Sequence, residues 1–278
     1  MDFPQYSNTG QGVIQFRSLP FLMLIKYVIA SALLNLAVVV PGRAAPFTAF
    51  RDGEVFTYRA GFGIFGNAGE IVIRASESTQ TGVGIMSVAT DTHTRGFVKA
   101  LYEYHNSAEV IIETGTGRML DVKEKGADPR RVTDTEIVFD YGAGLARYTD
   151  RIRPQQTTEV SIPAGNPMDL ISALVQTRDW NLKPGDKRDL LVLFGSDFYP
   201  LTITAEEYEE VRTPLGVYQT LVLVPRMTKN PKGLFKKGGE IKVWISQDAS
   251  NLPIKMQLKL NFGAVTLLLC DYKGRAAK

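Results

Sequence analysis

Cysteine is almost absent from this chain: Cys270 is the only one in 278 residues. A lone cysteine excludes an intramolecular disulfide, so the fold must hold through its core. Cys270 closes the apolar run "AVTLLLC", which predicts a buried, unreactive thiol. Histidine is nearly as scarce. His93 lies in "TDTHTRG" and His105 in "YEYHNS", both polar contexts that read as solvated or capping positions at strand ends. With no His-x-Glu and no paired cysteines, the residue types predict no metal site. The G-x-S-x-G nucleophile elbow is missing as well. No catalytic, metal-ligating or cofactor-binding residue is therefore expected. An excess of one charge is also lacking, since 32 basic residues face 29 acidic ones. That near-balance argues against nucleic acid as a partner.

One long apolar run is present, near the start. After Lys26 the chain is apolar from Tyr27 to Val40, broken only by Ser31 and Asn35, and then meets Pro41, Gly42 and Ala44. A positive charge, an apolar stretch and small residues at a cleavage site make a secretory signal. A membrane span wants about 20 apolar residues, and Lys26 with Pro41 leaves fewer. The expectation is a signal peptide over 1–44, cleaved after Ala44, and a single β-rich domain over 45–278. No integral membrane span then remains, and the protein is periplasmic or otherwise exported. Residues 1–22 read as an artefact of start-site choice, because Met23 opens a signal of ordinary length. Losing Arg17, Lys26, Arg43 and Asp2 lowers the net charge from +3 to about +1. The leader has no cysteine, so a lipid anchor at the new N-terminus is not expected.

The stretch "EVFTYRAGFGIFGNAGEIVIRASES" holds a literal G-x-G-x-x-G at Gly61, Gly63 and Gly66. A dinucleotide site needs a helix after the glycines, because the pyrophosphate sits on helix N-terminal N–H groups. Here "EIVIRASES" follows, with Ile71, Ile73 and Ala75 on one face at period two, which predicts a strand. Gly61–Gly69 is thus expected to be a bulged link between antiparallel neighbours, with positive φ at Gly66.

Similar segments fill most of the remainder. "GVGIMSVATDT", "AEVIIET", "TTEVSIP" and "GEIKVWIS" alternate or are β-branched between Gly, Pro and Asp punctuation. Gly142–Gly144 is expected to join two strands through a three-residue loop. The pattern predicts an all-β, mainly antiparallel fold: a curved sheet, half-barrel or barrel. One short helix, about 167–177, is expected on or over it. Asn166 is its expected cap, with Pro167 in the first turn and Asp169 favouring the dipole. Met168, Ile171, Leu174 and Val175 make its apolar stripe and are candidates for a lid.

In order, "GEVFTYRAGFGIFGNAGE", "NPMDLISALVQTRDWNLKPGD", "VRTPLGVYQTLVLVP", "WISQDASNLPIK" and "FGAVTLLL" resemble the exported bacterial family known as domain of unknown function 3108 (DUF3108). The similarity runs from about Phe50 to Lys273. It implies place and shape, and no activity. The tail around Trp244 and Asp248 more weakly resembles the LolA-type periplasmic lipoprotein carriers. Those are unclosed β-barrels with a helical lid over an apolar cavity. From its own context, Asp248 is expected to be a turn-forming acceptor.

Two features suit binding. Lys229, Lys232, Lys236 and Lys237 surround Leu234 and Phe235, a pattern fit for anionic headgroups or an acidic partner. The runs "LVLVP" and "AVTLLLC" are apolar on both faces, so something must cover both sides of the sheet there. The leading expectation is an exported envelope protein that binds a lipid-like or other envelope component. One rival is a structural or adaptor module for protein or peptidoglycan. Another is an envelope glycan hydrolase using carboxylates such as Asp134 and Glu136. Nothing in the sequence sets an oligomeric state.

Overall fold

The computed structural model describes residues 46–274, except 64, 228–230, 232–234, 236–237 and 261–262. The proposed leader and five of the six residues in the lysine-rich set (Lys229, Lys232, Leu234, Lys236 and Lys237) lie outside the described residues. Fifteen strands form one sheet in the order β8-β7-β6-β5-β4-β3-β2-β1-β15-β14-β13-β12-β11-β10-β9. The first meander comprises β1 (Val55–Phe62), β2 (Phe65–Gln80), β3 (Val83–Thr94), β4 (His105–Glu113), β5 (Arg118–Asp128), β6 (Arg131–Asp140), β7 (Leu145–Asp150) and β8 (Thr158–Ser161). The second comprises β9 (Met168–Asp169), β10 (Lys187–Phe194), β11 (Asp197–Thr213), β12 (Gly216–Arg226), β13 (Glu240–Ser246), β14 (Pro253–Leu260) and β15 (Gly263–Lys273). Pairing of β1 with β15 joins the two meanders at the middle. Among the described residues, β9 alone runs parallel to its neighbour, β10.

The sheet is not closed, but it must curl tightly. Fifteen strands at about 4.8 Å spacing make a sheet some 70 Å wide. Yet the chain passes from edge strand β8 to edge strand β9 between Ser161 and Met168. Seven residue steps reach at most about 25 Å. The two edges therefore come close together. Strand β11 also approaches β14 and β15, which lie three and four places away in the sheet.

Period-two alternation sets which side faces in. On β1, Phe56 and Tyr58 are fully buried while Arg59 is exposed. The glycine stretch is a hairpin link, as its residues imply: Phe62 pairs with Phe65, and the register with β2 slips between Ala60 and Phe62. The positive φ, however, falls on Gly63 at +54° and not on Gly66. Gly69 matters for another reason, because a Cβ there would lie 2.8 Å from the His93 carbonyl oxygen. The β6–β7 loop has four residues, 141–144, because Asp140 already pairs with Leu145. Asp248 is a turn acceptor: its Oδ1 takes the Ser250 N–H at 2.9 Å and the Ser246 hydroxyl at 3.0 Å.

Cys270 corrects the expectation of burial. Thr57 pairs with Asp271 and Tyr58 with Leu269, so Cys270 is the extra residue of a bulge. It is half-buried, with Sγ 3.2 Å from the Thr57 carbonyl oxygen.

Among the described residues, α-helices α1 (Gly96–Leu101) and α2 (Leu170–Gln176) accompany the sheet. The expected helix near 167–177 is α2, and it starts later than its residues suggested. Met168 and Asp169 stay extended because they bridge to Val192 and Leu193. Asp169, not Asn166, is the N-cap, accepting the Ser172 N–H at 3.0 Å. Asn166 instead donates to the Thr116 carbonyl.

Candidate functional site

Small and apolar residues of the neighbouring strands β2, β1, β15, β14 and β13 line a cavity of about 340 Å³. Ala60 and Leu267, register partners across the β1–β15 seam, line it together with Ile71 and Met256. Leu170, Ile171 and Leu174 of α2 close it on one side. Small residues, Gly61, Ala68 and Gly69, border part of it. The volume falls at the lower end of the roughly 300–1,000 Å³ of small-molecule pockets.

The four lid candidates are placed differently from one another. Ile171 and Leu174 line the cavity, and Leu174 is buried. Val175 is wholly buried in the main core, while Met168 belongs to β9 and is half-buried. The helix has no wet face over its second half, since Ser172 to Gln176 are all buried.

Both ends of α2 are tied. At its start stand the Asp169 cap and the β9–β10 bridge. Past its end, Arg178 is shut off from water together with Glu54. One guanidinium nitrogen of Arg178 donates to both carboxylate oxygens, at 2.9 and 3.0 Å. The other donates to the Ser250 carbonyl at 2.8 Å. Glu54 also accepts from the Tyr272 hydroxyl at 2.7 Å and from the Arg51 N–H at 2.8 Å. Tyr58, fully buried nearby, donates to the Pro253 carbonyl at 2.8 Å. Burial pushes the Tyr58 phenol far above its ordinary value, with the Glu54 carboxylate adding to the rise and Arg178 opposing it.

Polar groups gather at one end of the cavity. Glu124 of β5 and Tyr104 border it, as does Thr92 of β3. Asn106 of β4 donates to Glu124 Oε1 at 2.7 Å. Burial raises the Glu124 pKa above the usual carboxylate value, opposed by the Asn106 bond and the Arg131 guanidinium. Glu70 and His93 also border the cavity, but both are engaged. Arg95 donates to Glu70 at 2.6 Å and to His93 Nε2 at 3.2 Å.

The two histidines are cross-strand partners, His93 opposite His105. Asp134 and Glu136 are both taken up by Arg151 on the outer face. Among the described residues, no three His, Cys, Asp or Glu side chains come together as a metal cage. Of the lysine-rich set, Phe235 is described, and it is half-buried against the core.

Glu54, Arg178, Glu124 and Asn106 were not singled out from sequence. Glu124 did leave a signal, since it shares the parity of inward-facing Val122 in "MLDVKEKGAD". The Arg178–Glu54 pair left none, because its members stand 124 positions apart.

Residues 57–269 match the model of a family described as protein of unknown function (DUF3108). The chain belongs to that family. Its DUF3108 fold is shared with a β-barrel-like protein of domain of unknown function DUF1849 from Brucella abortus. That likeness covers 80% of this chain and 97% of the other at a TM-score of 0.52 and 6% identity, so it speaks for fold alone. A candidate lipoprotein from Parabacteroides distasonis aligns over 84% of this chain and 100% of its own at 10% identity. Its TM-score of 0.29 carries no argument. No curated protein matches the DUF3108 chain significantly.

Proposed function

We propose that this DUF3108 protein is an exported envelope protein that holds a lipid-like molecule in the cavity beneath α2. The observation that carries the reading is the cavity itself: a space of about 340 Å³, walled by apolar side chains from two meanders and one helix. An apolar space of this size in an otherwise packed interior suits an acyl chain better than water. Export is the compartment where such a carrier or sensor would meet lipid. It rests on the Lys26, Tyr27–Val40 and Gly42–Ala44 pattern. Among the described residues no helix is long and apolar enough to cross a membrane. The anchoring of α2 at both ends makes it a fixed wall, with Ile171 and Leu174 as part of the binding surface and not as a swinging lid.

Titration of the purified, delipidated protein with a fluorescent naphthylamine probe tests this. Saturable binding is expected, and Ile171→Trp, which fills the space, should abolish it while leaving the fold intact. Binding that is absent in the wild type, or unchanged in Ile171→Trp, would dismiss the cavity as a ligand site. N-terminal sequencing of the exported protein should begin at Ala45 or within a residue or two of it.

A further inference from the structure

The polar end of the cavity constrains what its occupant carries at its head. We infer that the ligand is an uncharged, hydroxyl-headed single-chain amphiphile whose hydroxyl hydrogen-bonds to Glu124; this rests on the cavity being a ligand site.

Asn106 donates to Glu124 Oε1 at 2.7 Å, and a carboxyl group accepts at two oxygens, so Glu124 keeps acceptor capacity where it borders the cavity. A half-buried carboxyl group at the edge of an apolar cavity can take a further donor from a ligand. Thr92, the register partner of Asn106, borders the same end with its own hydroxyl. Glu70 and His93 border the cavity too, but the Arg95 cation donates to both, whereas the neutral Asn106 amide donates to Glu124.

A carboxylate or phosphate head would stand against Glu124, and two like charges in one apolar site disfavour each other. An ammonium head fits less well than it first suggests. The Arg131 guanidinium already acts on Glu124, so a cationic head would meet a like charge beside its partner. A hydroxyl both donates and accepts, so it satisfies Glu124 in either protonation state. The remaining lining, with Met256, Leu267 and Ile171, is mostly apolar and suits a hydrocarbon tail.

Displacement of the naphthylamine probe by dodecanol, dodecanoate and dodecylammonium at neutral pH tests the inference. Dodecanol should displace it at a concentration roughly ten- to hundredfold below dodecanoate, the worth of one hydrogen bond to a charged group. It should also outrank dodecylammonium. Glu124→Gln keeps a carbonyl for Asn106 and removes the charge, so the gap between alcohol and acid should narrow by about tenfold. If the probe binds and dodecanoate or dodecylammonium displaces it as well as dodecanol, the head-group inference is overturned while the cavity reading stands. If the probe does not bind at all, the cavity reading fails and takes this inference with it. The wild-type ranking decides the matter even where Glu124→Gln fails to fold.

Discussion

Arg178 and Glu54 are both fully shielded from water, whereas Lys123, Lys125 and Arg151 pair with Asp121, Asp134 and Glu136 on the outer face of β5–β7. There the Lys125 side chain is 67% exposed. The residue types are alike in the two regions, and the physics is not. At the buried seam the ions are held by fixed partners from four segments: the lead-in to β1, the exit of α2, the turn before β14, and β15 through Tyr272. On the outer face each ion has water as an alternative partner. The first arrangement locks the helix over the cavity, and the second decorates a sheet that stands without it.

Arg178→Ala offers the hardest test of that contrast. It strands the Glu54 charge in a dry site, and removing one partner of a buried pair costs about 3–5 kcal/mol. Urea denaturation should show that loss, and the double variant Arg178→Met with Glu54→Gln should recover much of it. A single variant no less stable than the wild type would mean that water reaches the pair and that the two regions are equivalent after all.

Leu174→Ala comes next. Leu174 is buried and borders the cavity, so truncation both removes packing and enlarges a void. The expected loss is about 2–5 kcal/mol by chemical denaturation, less if α2 settles inward. Probe affinity should change together with stability, because the same side chain serves wall and core. A variant that binds as the wild type does would separate the helix from the site.

The glycine stretch shows how far the sequence reaches. Strand, link and strand were legible in "EVFTYRAGFGIFGNAGEIVI" because period two survives on both sides of the glycines. Which glycine turns the chain was not, since that depends on where the register of β1 on β2 slips. Gly63→Ala should therefore cost about 1–2 kcal/mol in thermal melts, the penalty of left-handed backbone. Gly66→Ala, with open space at its Cβ and no positive φ, should be neutral or slightly stabilising. The same limit applies to the site. The helix and its apolar residues could be read from spacing, but its true cap could not, because a two-residue bridge to β10 keeps Met168 and Asp169 extended. The cavity is lined by strands far apart in sequence, β1–β2 and β13–β15, together with α2, and no local pattern encodes the space they enclose. Glu124 is the intermediate case: its inward parity was visible, and its neighbour Asn106 was not.

The smallest effect is expected from Arg151→Ala, and it sharpens the contrast from the other side. Arg151 bridges Asp134 and Glu136 across β6, and Lys123 and Lys125 stand ready beside the same two carboxylates. When Arg151 is lost, neither carboxylate is left without a cation, and neither has been taken out of water. The Debye length of about 8 Å at physiological salt screens much of what remains. Thermal melts of the variant at physiological salt should coincide with the wild type within replicate scatter. At low salt a small loss should emerge, and raising the salt should erase it. A loss that persists in high salt would show that the outer ladder acts as a coupled network, and the line drawn between the two regions would have to move.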